Sequence, residues 1–170
     1  MCTHRSLPQN WVRFGLVMLF LIIGAASYAA TIAASASATI VYPIAVSTVT
    51  NLAFGSLATN ETGGTVTITA DGRRLAGSGV DVIPASAFTA AAFLINGQPH
   101  TAYVVSIPTS AMISHGSDQM LIDNFTASAT TGTLDSIGQQ NLTIGGTLHM
   151  APRQPLGSYM GLFNVTVTYN

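Results

Sequence analysis

The stretch that decides the fold is Gly157-Ser158-Tyr159-Met160-Gly161-Leu162-Phe163-Asn164-Val165-Thr166-Val167-Thr168-Tyr169-Asn170. From Tyr159 onward the odd positions carry Tyr159, Gly161, Phe163, Val165, Val167 and Tyr169, while Ser158, Asn164, Thr166 and Thr168 fill most of the positions between. Successive side chains of a β-strand point to opposite faces, so the alternation reads as one strand with a buried face and a wet face. At about 3.3 Å per residue it spans roughly 40 Å, where an ordinary strand has about five or six residues. A strand of that length needs a partner along most of it, or it presents an open edge to other chains. What it pairs with is therefore the functional question.

A second alternating stretch offers a partner. Between Ala30 and Val46 the even positions carry Ile32, Ala34, Ala36, Ala38, Ile40, Tyr42, Ile44 and Val46. The pattern is regular enough for a strand, but its middle is almost all Ala and Ser. Alanine is a poor strand former and its methyl contributes only about 0.8 kcal/mol on burial, so the segment cannot hold itself in place. It needs ladder bonds to another sheet edge, with Ile32, Ile40 and Tyr42 as side-chain anchors. Pro43 lacks the N–H a ladder requires and separates this extension, residues 30–42, from the domain at 43–170. The alternative is a flexible Ala/Ser linker.

Upstream, Arg5 and Arg13 make a positive n-region before the eleven-residue apolar run Phe14–Gly24, and Ser27-Tyr28-Ala29 supplies small residues at the cleavage-defining positions. This is the pattern of a secretory signal peptide, a helical segment at 1–29 too short to span a bilayer comfortably, and it predicts cleavage between Ala29 and Ala30. No stable membrane span is expected after cleavage. The only cysteine, Cys2, leaves with it, which excludes a disulfide framework, a cysteine nucleophile and a thiolate metal site. The remainder carries three arginines (Arg73, Arg74, Arg153) against six acids, a net charge of −3, with no lysine in the chain. Neutralising phosphates needs a basic footprint, so nucleic acid is excluded as a partner.

Between the two alternating stretches lie short β segments separated by turn signals. Leu52–Leu57 precedes the turn cluster Asn60–Gly64, and Thr65–Thr69 stops at Asp71-Gly72 before a polar, Gly-rich loop at 73–79. Ala87–Ile95 runs into Asn96-Gly97, and Thr101–Ile107 returns. Met120–Ser128 and Asn141–Met150 follow, the latter with a bulge expected at Gly145-Gly146. With no helical period of useful length and about seven to nine strands, the expectation is an all-β sandwich of immunoglobulin-like or Greek-key type.

No reaction chemistry emerges. His100, His115 and His149 are isolated, without the spacings of metal sites, and Asp71, Asp81, Asp118 and Asp123 follow no calcium-loop pattern. There is no Gly-x-Ser-x-Gly elbow, and Gly63-Gly64 and Gly77-Ser78-Gly79 lack the lysine of a phosphate loop. Four Asn-x-Thr triplets, at Asn60, Asn124, Asn141 and Asn164, are frequent by chance in a threonine-rich chain. The expectation is a protein without catalytic residues, cofactor or metal.

Gly157, fourteenth from the end, the alternating Phe163, Val165 and Val167, and the penultimate Tyr169 resemble the C-termini of pilin subunits assembled by the bacterial chaperone–usher pathway. The stretches Ala36–Ile44, Leu52-Ala53-Phe54-Gly55, Gly63–Ile68 and the terminal strand are similar to a secreted bacterial domain-of-unknown-function family, number 4402, which names no activity. The pilin resemblance implies an incomplete sandwich. A periplasmic chaperone and an outer-membrane usher handle such a subunit, and the N-terminal extension of a neighbouring copy or related subunit completes it. It implies export through the periplasm to a surface fimbria or the extracellular space. On that reading Ile32, Ala34, Ala36, Ala38 and Ile40 form the donor face, and Gly157, Tyr159, Phe163, Val165, Val167 and Tyr169 belong to the assembly strand. The extension pairing within its own domain, to give a self-complete sandwich that binds a carbohydrate or surface partner, is the alternative.

Overall fold

The computed structural model describes residues 30–170, so the signal segment and the Ala29 side of the expected cleavage point lie outside the described residues. Thr39–Asn170 forms one compact unit. Residues 30–38, outside it, contain no strand, and each of them is exposed.

Twelve strands and no helix occur among the described residues. They are β1 (Ala45–Thr50), β2 (Leu57–Thr59), β3 (Gly64–Ile68), β4 (Arg74–Ala76), β5 (Val80–Val82), β6 (Ala91–Asn96), β7 (Ala102–Ser106), β8 (Ser110–His115), β9 (Asp118–Ala127), β10 (Thr131–Thr133), β11 (Gln139–Met150) and β12 (Thr166–Tyr169). All pairings are antiparallel. The chain is an all-β, sandwich-like fold, as its patterning predicts.

The large sheet is built on β11. Ile144 pairs with both Ala91 of β6 and Ala127 of β9, so those strands lie on opposite edges of β11. Thr147 pairs with both Thr67 of β3 and Asp123 of β9, so β6 and β3 follow one another along the same edge. β1 then extends the sheet beyond β6, β4 beyond β3, and β8 beyond β9. The expected bulge is present: the register slips between Gly145 and Thr147, leaving Asn124 and Phe125 of β9 opposite Gly146. Asn124 takes the left-handed conformation, φ 47°, which a short polar side chain tolerates. A side chain on Gly146 would press on the Phe125 ring, so the glycine gives that ring its place in the interior.

A small sheet, β10-β7-β12, covers one half of the large one. Ile95, Tyr103, Leu134, Leu142, Ile144 and Val167 pack between them. A second cluster, including Phe54, Val66, Ile68, Val80, Met120, Ile122 and Leu148, lies over the other half, which the small sheet does not reach. The ribbon β2-β5 borders it.

Several expectations are corrected. Gly157–Asn170 is not one continuous strand; only Thr166–Tyr169 runs in a ladder, with one isolated bridge at Met160. Its side-chain alternation holds nonetheless, with Tyr159, Phe163, Val165, Val167 and Tyr169 turned inward and the residues between exposed. The segment before Pro43 carries no strand, and the first begins at Ala45. Arg74–Ala76 is a strand inside the stretch read as a loop, because Asp71-Gly72 closes a hairpin from β3 straight into it. β5, β8 and β10 are too short or too polar to have announced themselves. Asn96-Gly97 does not join paired strands, since β6 and β7 belong to different sheets.

Candidate functional site

Over the uncovered half of the large sheet lies an open groove of about 1190 Å³. Its floor is apolar: Ile113 of β8, Met120 and Ile122 of β9, and Leu148 and Met150 of β11. Strand alternation explains the set, since each of these residues lies on the inward face of its strand. The same alternation turns His149 and Asp123 to the outer face, where their side chains pair at 2.7 Å.

One rim is Asn51–Thr59. It is tied down by the Ala53–Thr89 bridge, two bonds of 2.9 Å, and by β2 pairing with β5. Arg74 also pins it, donating to the Phe54 carbonyl at 3.1 Å, to Ser86 Oγ at 2.9 Å and to the Ile83 carbonyl at 3.4 Å. Its guanidinium lies 4.5 Å from the centroid of the Phe88 ring. The other rim is Gln154–Phe163. Gln154 Nε2 donates to Tyr159 Oη at 2.9 Å, and that hydroxyl donates to the Pro155 carbonyl at 2.8 Å. Met160 exchanges two backbone bonds with Ser114, of 2.9 and 3.1 Å, which fastens this rim to the outer edge of β8.

The glycines of this rim are required by contact. A Cβ on Gly157 would collide with the His115 ring, which also lies 5.7 Å from the Tyr159 ring centroid. A Cβ on Gly161 would collide with the Met112 carbonyl oxygen. At the inner end Phe163 turns down between the sheets, with its ring centroid 5.0 Å from Phe125 and 6.3 Å, edge-on, from Phe93. The bulge in β9 thus places one wall of the aromatic stop that ends the groove.

From Gly161 to Val165 the backbone has no hydrogen-bonded backbone partner among the described residues. Five consecutive residues with open N–H and C=O groups beside an apolar trough are the physical requirements of an unfilled strand position. On the far side β1 pairs only with β6, and all six of its residues are exposed.

Of the residues singled out from sequence, Gly157, Tyr159 and Phe163 stand on the rim. Val165, Val167 and Tyr169 continue the same segment into the closed half of the sandwich, where they pack with the first core. Ile32, Ala34, Ala36, Ala38 and Ile40 are exposed, the two isoleucines at 95% and 96%. Ala30 is exposed as well. Sequence reading missed the first rim as a unit, the floor contributed by β8, and the Arg74 pin. Arg74 had one signal, an arginine in a chain where charged residues are 6%.

No group of three metal-ligating side chains occurs among the described residues. The ion pairs Arg73–Asp71 and Arg153–Glu61 are exposed.

Fold and site together define a class: an antiparallel, sandwich-like β fold with an unpaired backbone segment beside an apolar groove. Residues 44–169 match the family model described as Domain of unknown function (DUF4402), and the chain belongs to that family. No curated protein matches it.

Proposed function

We propose that this chain is a non-enzymatic structural subunit of a bacterial surface fimbria or pilus-like polymer, joined by donor-strand exchange. In this reading the extension of one copy, with Ile32, Ala34, Ala36, Ala38 and Ile40 inward, lies in the groove of the next and pairs with the open backbone of Gly161–Val165. The observation that carries it is that open backbone beside the apolar floor. Strand addition to a sheet edge takes affinity from main-chain bonds and specificity from alternate side chains, and both halves of that requirement are present in one chain. From Ile32 to Ile40 an extended strand covers about 26 Å, more than the roughly 13 Å of the open backbone from Gly161 to Val165. Before assembly the same groove would be filled by a periplasmic chaperone, with delivery through an outer-membrane usher and display at the cell surface.

The test is deletion of 30–41 from the exported protein. The parent is expected to form filaments by electron microscopy and an SDS-resistant ladder, and the deletion to form neither while remaining folded. A deletion variant that polymerises as the parent does, or a parent that stays monomeric at every concentration, removes the proposal.

A further inference from the structure

An extension long enough to reach a neighbour's groove is long enough to reach its own. Residues 30–41 span about 40 Å when extended, and the edge from Tyr169 back to Gly161 only about 26 Å. Length therefore does not decide between self-insertion and polymerisation. Something where the extension meets the domain has to.

That place is held by an unusual hydrogen-bond set. The Tyr169 hydroxyl accepts the Gln98 N–H at 2.6 Å and donates to the Tyr42 carbonyl at 2.7 Å. Gln98 Oε1 in turn accepts the Tyr42 N–H at 3.3 Å. Both backbone groups of Tyr42 are thus engaged, by a side chain from β12 and by the loop after β6. Gly97 leaves the space the hydroxyl occupies, since a Cβ there would collide with it. Tyr169 itself is fixed by pairing with Tyr103 in the small sheet.

Self-insertion requires the chain to fold back as a hairpin on β1, with its turn at Tyr42, Pro43 and Ile44. Pro43 holds its own φ and restricts Tyr42 to extended conformations, and the clamp holds the N–H and C=O of Tyr42 where a turn would have to reorient them. Resting on the strand-exchange reading above, we propose that Tyr169 is a positioning residue that clamps the base of the extension at Tyr42 and so commits the extension to the groove of a second copy instead of its own.

The test uses the full chain with Cys2→Ser, carrying Ser35→Cys on the extension and Leu162→Cys on the exposed face of the rim, treated with a short bis-maleimide. Mass spectrometry of the linked peptides in the monomer band and in the ladder measures closure within one chain against closure between chains. With Tyr169 present, linkage is expected between chains. Tyr169→Phe keeps the ring and loses both hydroxyl bonds, and is expected to raise within-chain linkage about tenfold at equal protein concentration. Gln98→Ala, which removes only the acceptor for the Tyr42 N–H, is expected to act in the same direction by less, and it decides the matter if Tyr169→Phe does not fold by circular dichroism. An unchanged ratio in the folded variants, or within-chain closure already dominant with Tyr169 present, overturns the clamp and leaves groove occupancy standing. No 35–162 linkage in any background overturns the strand-exchange reading itself.

Discussion

If the even positions of the extension enter the groove, two side chains should dominate the hold. Ile32 and Ile40 are 95% and 96% exposed in the uncomplexed chain, so almost their whole apolar surface remains to be buried. Replacing an isoleucine by alanine removes three carbons, worth about 2.4 kcal/mol at about 0.8 kcal/mol per buried CH₂. The groove is open along its length, which reduces this to roughly 1–2 kcal/mol per site. The double variant Ile32→Ala/Ile40→Ala should thus lose about 2–4 kcal/mol, or about 30- to 700-fold in subunit dissociation at tenfold per 1.4 kcal/mol. The control is Thr31→Ala/Thr39→Ala, which truncates the odd face and should change dissociation by less than about fivefold. Native electrophoresis of preformed polymer in dilute denaturant, sampled over time, reads both. Equal rates for the two double variants would refute the assignment of the even face to the groove, and faster release of the threonine variant would reverse it.

Asn164→Pro should leave the monomer's melting within about 1 kcal/mol of the parent, because the Asn164 N–H has no backbone partner, yet it should block polymer growth by removing a ladder donor; growth at the parental rate would sink the edge assignment. Gly161→Val should force the rim off the Met112 carbonyl, weaken the Met160–Ser114 bonds and cost about 1–3 kcal/mol in urea unfolding. Arg74→Ala leaves the Phe54 carbonyl without its donor and loses the Phe88 contact; about 1–3 kcal/mol of stability should go, with Arg74→Lys recovering only part because an ammonium cannot fork. Burial pushes the Tyr103 phenol above its ordinary range. The fold thus favours its neutral form, and that stability is complete below about pH 10 and lost as pH rises through the raised value. Phenolate absorbance should show one tyrosine titrating late, and Tyr103→Phe should flatten the alkaline fall in stability; an unchanged slope would assign that fall to other groups.

Side-chain direction was legible and backbone pairing was not. Tyr159, Phe163, Val165, Val167 and Tyr169 point inward as their alternation predicts, because pattern reports which face meets apolar surroundings. Whether the N–H and C=O groups of Gly161–Val165 find a partner depends on which strand lies alongside, and nothing in their own side chains encodes it. The same limit explains Asn96-Gly97, where a strong turn dipeptide was visible but the sheet receiving the next strand was not. Gly145-Gly146 was readable because a missing side chain inside a strand has few explanations, and the Phe125 ring supplies this one. β8 went unseen because it borders the large sheet with Ser110, Met112 and Ser114 exposed, so its sequence looks like a polar break after Pro108. Ile113, one of the five floor residues, was therefore hidden, while the rest of the floor and the rim residues Gly157, Tyr159 and Phe163 were in view.

The open edges also constrain what must surround the protein before it assembles. Natural edge strands are commonly protected by lysines, inward-pointing charges or prolines. Here the exposed β1, Ala45–Thr50, has no charge or proline, the segment Leu156–Asn170 has no charge or proline either, and lysine is absent from the chain. Along the second segment Leu156, Met160 and Leu162 add outward apolar side chains, at 96%, 76% and 92% exposure, to the inward set beneath them. A chain with two undefended edges and an apolar trough between them would pair indiscriminately if released free at high concentration. Defending those edges with charge would also abolish strand addition, so on the strand-exchange proposal the protection would come from something that occupies the groove and then leaves. Within that proposal, an escort whose own strand fills the position temporarily is what the edge chemistry favours. The Tyr169 clamp answers the complementary problem, since an extension free to fold back would protect each groove permanently and leave nothing to polymerise.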